Sequence, residues 1–115
     1  MLRPVILSLL AVALCPIVSA GDAPVAKLIE VRKIWDQAPH NAFTDLIRFK
    51  DRWFCAFREG KSHVCDTGAL RVLASTDGQE WKSVARMTWD AGDVRDAKLS
   101  VTADGQLMLN GAVRL

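Results

Sequence analysis

Residues able to do chemistry concentrate in three short segments: His40-Asn41, Arg58 to Asp66, and Asp93 to Asp96. They hold His40, Asn41, Arg58, Glu59, Lys61, His63, Asp66, Asp93, Arg95 and Asp96, and so include both histidines of the chain. Arg58 and Arg95 offer planar forks that match a carboxylate bidentately, which a lysine cannot do. Asp66 leads a flexible Thr67-Gly68 pair. It suits a general acid or base, provided its pKa is raised, and burial beside a carboxylate such as Glu59 is one way to raise it. No metal and no cofactor is expected. A solvated polar loop explains any one of these residues by itself; their convergence is what argues for a site.

The elements that must position them are short strands. Asp45 to Phe49 (DLIRF), Trp53 to Arg58 (WFCAFR), Ala69 to Ala74 (ALRVLA) and Lys82 to Met87 (KSVARM) are runs of about five residues, bounded by turn formers. Lys50-Asp51-Arg52, the loop Glu59 to Gly68, and Ser75 to Trp81 separate them. Four antiparallel strands in chain order make a meander, which is also one blade of a β-propeller. The second and third runs are apolar on both faces, as in a sheet packed between neighbours. Further on, Lys98 to Thr102, a turn at Ala103-Asp104-Gly105, and Gln106 to Leu109 begin a second copy. Leu46 matches Leu99, and Asp51 matches Asp104, at an offset of 53 residues. Before the first blade, Val25 to Val31 (VAKLIEV) reads as a strand and Trp35 to His40 as a loop. In this arrangement the three polar segments share one end of the blade. The turns at Lys50 and Ser75 lie at the other.

The turn Ser75 to Trp81 has its own chemistry. Asp77-Gly78 is a strong hairpin pair, because Gly takes positive φ freely. Ser75 and Asp77 can hydrogen-bond backbone N–H groups inside the turn, and Trp81 can fold over it. Ser75, Asp77, Gly78 and Trp81 resemble the structural Asp-box of sialidases and related propellers, shortened by one residue. Ala56-Phe57-Arg58-Glu59-Gly60-Lys61 is similar to a second sialidase element, with Lys61 in place of Arg. Asp66-Thr67-Gly68 falls where that family carries its acid/base Asp. Asn41-Ala42-Phe43-Thr44 lacks the Arg of the first sialidase motif, whereas Arg95-Asp96-Ala97-Lys98-Leu99 of the second copy looks more like it. The resemblance implies an all-β, six-bladed propeller of which this chain holds about one and a half blades, the first over about 41–87 and the second from about 94. It implies Asp66 as the catalytic acid/base. Substrate contacts would come from His40, Asn41, Arg58, Glu59, Lys61, His63, Arg95 and Asp96. Sialidases use a Tyr nucleophile. This chain has no Tyr, so the nucleophile would come from the missing blades.

Residues 1–20 read as a signal peptide: Arg3, an apolar core from Val5 to Val18, and small residues at Val18-Ser19-Ala20 before cleavage at Gly21. The run is short for a membrane span, and Pro16 breaks it. The expected product, 21–115, is therefore secreted or periplasmic. Export permits a disulfide between Cys55 and Cys65; two unrelated thiols are the equal alternative. With 15 basic and 13 acidic residues, dispersed, the chain shows no nucleic-acid surface.

Two functions fit. One is a secreted sialidase-like glycosidase acting on terminal sialic acid or a related acidic sugar, with this chain its N-terminal part. The other is a non-catalytic Asp-box propeller that binds glycans or proteins through the same end.

Overall fold

The structure, a computed structural model, describes residues 25–115; the expected signal peptide lies outside the described residues. The chain divides after Val31. Residues 25–31 carry no regular secondary structure, so the strand expected at Val25 to Val31 is not formed. Among the described residues no strand ladder includes it.

The second unit is all-β and antiparallel. Strands β1 (His40–Phe49), β2 (Arg52–Gly60), β3 (Ala69–Ser75) and β4 (Lys82–Met87) form a meander in the order β1-β2-β3-β4. Strands β5 (Asp93–Val101) and β6 (Leu107–Arg114) form a separate hairpin. Alternation along β2 and β3 sends side chains to both faces, and both faces are covered. On one face Ala56, Leu70 and Val72 pack with Val94 and Ala97 of β5, joined by Phe54, Leu99 and Leu109. On the other, Cys55, Phe57 and Leu73 are covered by Ile34, Trp35 and Trp81. This is why the WFCAFR and ALRVLA runs are apolar on both sides. Strand β4, at the sheet edge, is exposed throughout.

β1 and β5 start five residues earlier than their apolar runs suggest, and for the same reason. The β1–β2 ladder slips between Ala42 and Asp45, and the β5–β6 ladder slips between Arg95 and Lys98. Phe43 and Asp96 occupy these bulges, each with φ of 57°. A bulge inserts an unpaired residue and breaks the two-residue alternation from which a strand is read. The two bulges are 53 residues apart, so the sequence repeat extends to backbone geometry. Across it, the Asp45 carboxylate of β1 accepts a hydrogen bond from the Leu99 amide of β5 at 2.8 Å. That bond is the main reason the Asp45 pKa lies below the ordinary carboxylate value.

The Ser75 to Trp81 turn follows the chemistry read from its sequence. Ser75 Oγ accepts from the Gly78 amide at 2.9 Å and donates to Asp77 Oδ1 at 3.0 Å. The same Asp77 oxygen accepts from the amides of Gln79 (2.8 Å) and Glu80 (3.0 Å). Gly78 has φ of 73°. Trp81 Nε1 closes the turn onto the Gly78 carbonyl at 3.1 Å, while its ring packs on the Cys55 cluster.

Candidate functional site

The three polar segments do meet at one end of the sheet, but they separate into three groups with different chemistry. Strand alternation decides the split. Arg58 and Glu59 are neighbours in β2, so their side chains leave on opposite faces.

Arg58 points toward the β5–β6 hairpin and is fully buried, as is Asp93. Its Nε donates to Asp93 Oδ1 at 2.7 Å and its Nη2 to Asp93 Oδ2 at 3.0 Å, a bidentate pair. Nη1 donates to the Ser62 carbonyl and Nη2 to Cys65 Sγ, both at 3.1 Å. The loop glycine beside the pair is required: a Cβ at Gly68 would lie 1.7 Å from Asp93 Oδ1. Arg58, expected to grip a ligand carboxylate, instead grips one of the protein's own. The sequence pairs it with no particular acid, because Asp93 is 35 residues away.

This group also settles the cysteines. Cys65 lies against the Arg58 guanidinium on one face, and Cys55 is buried with Phe57 and Leu73 on the other. Both are free thiols. The bridge entertained from their spacing is not formed, since the sheet lies between them. Burial pushes the Cys55 pKa up. Backbone amides, that of Thr67 foremost, pull the Cys65 pKa down.

Glu59 belongs to a second group. Its Oε1 accepts from Trp35 Nε1 at 2.6 Å and its Oε2 from Arg71 Nη2 at 2.8 Å, with Arg86 Nε at 3.5 Å. Burial works to raise its pKa, but the Arg71 and Trp35 hydrogen bonds and the two guanidinium charges outweigh it, and the net shift is downward. Glu59 is thus committed to these partners and does not serve as the carboxylate expected beside Asp66. Arg71 stacks its guanidinium 5.0 Å from the Trp35 ring centre. A cleft of about 600 Å3 opens here, lined by Gln37 to Pro39, Glu59 to Lys61, Thr67-Gly68, Arg71, Arg86 and Thr88 to Asp90.

The third group gathers most of the other expected residues. The His40 and His63 rings meet edge to face at 5.6 Å, and Phe43 lies 5.6 Å from His63. Arg95 sits over Phe43 at 5.3 Å, and its guanidinium lies 3.7 Å from the carboxylates of both Asp93 and Asp96. His40 Nε2 is buried and has no hydrogen-bond partner among the described residues. Buried polar atoms without partners are uncommon and call for an explanation. Phe43 and Asp96, the two positive-φ bulge residues, frame the group; such strain in non-glycine residues concentrates at functional sites. Among the described residues, no third His, Cys, Asp or Glu joins the two imidazoles in a metal-holding group.

Asn41 is exposed and donates to the Ala38 carbonyl at 2.9 Å. Lys61 lines the cleft beside Glu59. Asp66 is exposed and makes no hydrogen bond or ion pair among the described residues. Sequence reasoning missed Phe43, Arg71, Arg86 and Trp89. Arg71 left a readable signal: a lone charge inside the buried run ALRVLA needs a partner on its own face. Phe43 left none, because the bulge alone brings it to His63.

No protein-family model, curated protein or solved structure matches this chain.

Proposed function

We propose that this chain contributes one blade, and the start of the next, to a sialidase-like β-propeller of an exported carbohydrate-active protein. It recognises an acidic sugar at the His40–His63–Arg95 cluster. The carrying observation is the buried Nε2 of His40, which has no hydrogen-bond partner among the described residues, on a ring that meets His63, with Phe43 against His63 and the Arg95 guanidinium over Phe43. Such a group offers a hydrogen bond, a ring face for sugar C–H groups, and a cation for a carboxylate. The Asp-box-like turn and the 53-residue repeat of bulged strands support the propeller reading. Asp66 is the proposed acid/base, on an exposed loop beside this end. The nucleophile would come from outside this chain, which has no Tyr.

A binding protein without hydrolysis is the second reading. It is favoured by the commitment of Arg58 to Asp93 and of Glu59 to Arg71, which removes two expected contributors from the site. Titration with N-acetylneuraminic acid and with a neutral hexose tests recognition. The expected result is binding of the acid alone, weakened about tenfold or more in Arg95→Gln and His63→Ala. Equal binding of the neutral sugar would overturn it. Asp66→Asn then separates the two readings. In a hydrolase kcat/KM falls by about 10²–10⁴, whereas a binding protein keeps its affinity and has no rate to lose.

A further inference from the structure

The cleft on the Glu59 side is separate from the histidine cluster and has its own chemistry. Two guanidinium groups, Arg71 and Arg86, share the single Glu59 carboxylate. One positive charge is left over, and it resides on Arg86, whose side chain is 49% exposed. Arg71 is fixed between Glu59, Ser83 and the Trp35 ring, so it acts as a rigid wall. Its Nε is buried and has no hydrogen-bond partner among the described residues. Lys61 adds a second mobile cation at the rim, and Asp90 is the other acid there.

Trp89 supplies what a bare anion site would lack. It lines the cleft, yet it is 59% exposed, an unfavourable state for the largest apolar side chain. Its backbone is held by the tight turn in which the Gly92 amide donates to the Trp89 carbonyl at 3.3 Å. The ring is therefore presented on a fixed support rather than left on a loose loop. An indole face beside guanidinium and ammonium groups suits a ligand with one apolar face and one negative charge. A pyranose carrying a carboxylate or sulfate has both: its axial C–H groups cover the ring, and the acid takes the cations. A volume of about 600 Å3 lies within the range of small-ligand sites and holds one or two such rings. The walls are already ordered by the Glu59 network, so little ordering is lost on binding.

We propose that this cleft is a binding subsite for an anionic sugar ring, with Arg86 and Lys61 taking the acid group and Trp89 stacking on the ring. The nature of the ligand rests on the carbohydrate reading above; the location and the residues do not.

The test titrates the whole chain with glucuronate, glucose and acetate, followed by calorimetry and by the tryptophan side-chain NMR signals. Glucuronate is expected to bind and to shift the Trp89 indole signal, assigned by its loss in Trp89→Ala. Arg86→Gln and Trp89→Ala should each weaken glucuronate about tenfold or more, and Lys61→Gln less. Arg86 and Lys61 are solvent-facing, and unchanged melting of their variants confirms that the fold is intact. Acetate binding as tightly as glucuronate would overturn the sugar assignment, and so would glucose binding as tightly. Glucuronate binding lost in Arg95→Gln but kept in Arg86→Gln would overturn this subsite and leave the histidine-cluster proposal standing. The reverse pattern supports this subsite and leaves the histidine cluster to its own titration with N-acetylneuraminic acid. Absence of glucuronate binding to the unmodified chain overturns the subsite.

Discussion

The two faces of the β1–β4 sheet treat the same kind of charge pair in opposite ways. On the hairpin side, Arg58 meets one carboxylate with both arms of its fork, and neither group touches solvent. On the Trp35 side, Glu59 divides itself between two hydrogen-bond donors, Trp35 and Arg71, and the Arg86 cation, which reaches solvent. The residues are adjacent in sequence, so composition cannot account for the contrast. Coverage does. The β5–β6 hairpin lies over one face and seals its ion pair, whereas the segment around Trp35 covers only part of the other and leaves a cleft. A sealed pair holds two elements in register. A shared, half-wet pair keeps spare hydrogen-bonding capacity for a ligand.

The largest effects should come from breaking the sealed pair. Asp93→Ala leaves a buried guanidinium without its counter-charge, and the folded state should lose about 3–5 kcal/mol. Denaturant unfolding measures this. Gly68→Ala should also destabilise strongly, since its Cβ would fall 1.7 Å from Asp93 Oδ1 and neither atom has room to move. Replacing both charges with Met and Leu should recover part of the loss, because well-packed apolar groups can substitute for a buried pair. If Asp93→Ala costs no more than Glu59→Gln, the contrast between the faces is wrong.

A smaller effect is expected at the far end of the sheet. Ser75→Ala removes the acceptor of the Gly78 amide and one donor to Asp77, and should cost about 1 kcal/mol. Glucuronate and N-acetylneuraminate affinity should not change, since this turn lies opposite the connections that form both candidate sites. A loss of binding without a loss of stability would mean that the two ends have been assigned the wrong way round.

The sequence made much of this visible, and the parts it hid have physical causes. The meander, its turns and the Asp77-Gly78 chemistry were legible because they depend on residues within a few positions of each other. That both faces pack against neighbours was legible in the double-sided apolarity of WFCAFR and ALRVLA. Both bulges were hidden, because positive φ at Phe43 and Asp96 leaves no compositional mark, unlike a glycine. The convergence of polar residues at one end was legible, but their division was not. Whether Arg58 faces a ligand or Asp93 depends on where the hairpin folds back, and that is a long-range fact.

The smallest effect distinguishes the faces by acid. Hydrogen bonds and cations hold the Glu59 pKa below the ordinary Glu value against the opposing pull of burial. In the unfolded chain it returns to an ordinary Glu value. A carboxylate whose folded pKa is depressed binds fewer protons when folded, so its stabilisation is complete above the unfolded pKa and is lost as pH falls through the folded one. Melting temperatures between about pH 5 and about pH 3 should therefore fall more steeply for the unmodified chain than for Glu59→Gln. The amide keeps one acceptor where the carboxylate had two and turns an N–H2 donor toward Trp35 or Arg71, so the variant is also less stable at neutral pH, by about 1–3 kcal/mol, and the slopes are compared rather than the absolute values. Asp45 and Asp77 also have lowered pKa values, from backbone hydrogen bonds above all, and contribute the same acid dependence to both proteins. The difference between the two curves therefore isolates Glu59. Parallel curves would show that the Arg71–Glu59–Arg86 cluster gains nothing from its negative charge, and that the open face is held by packing of Trp35 and Trp81 alone.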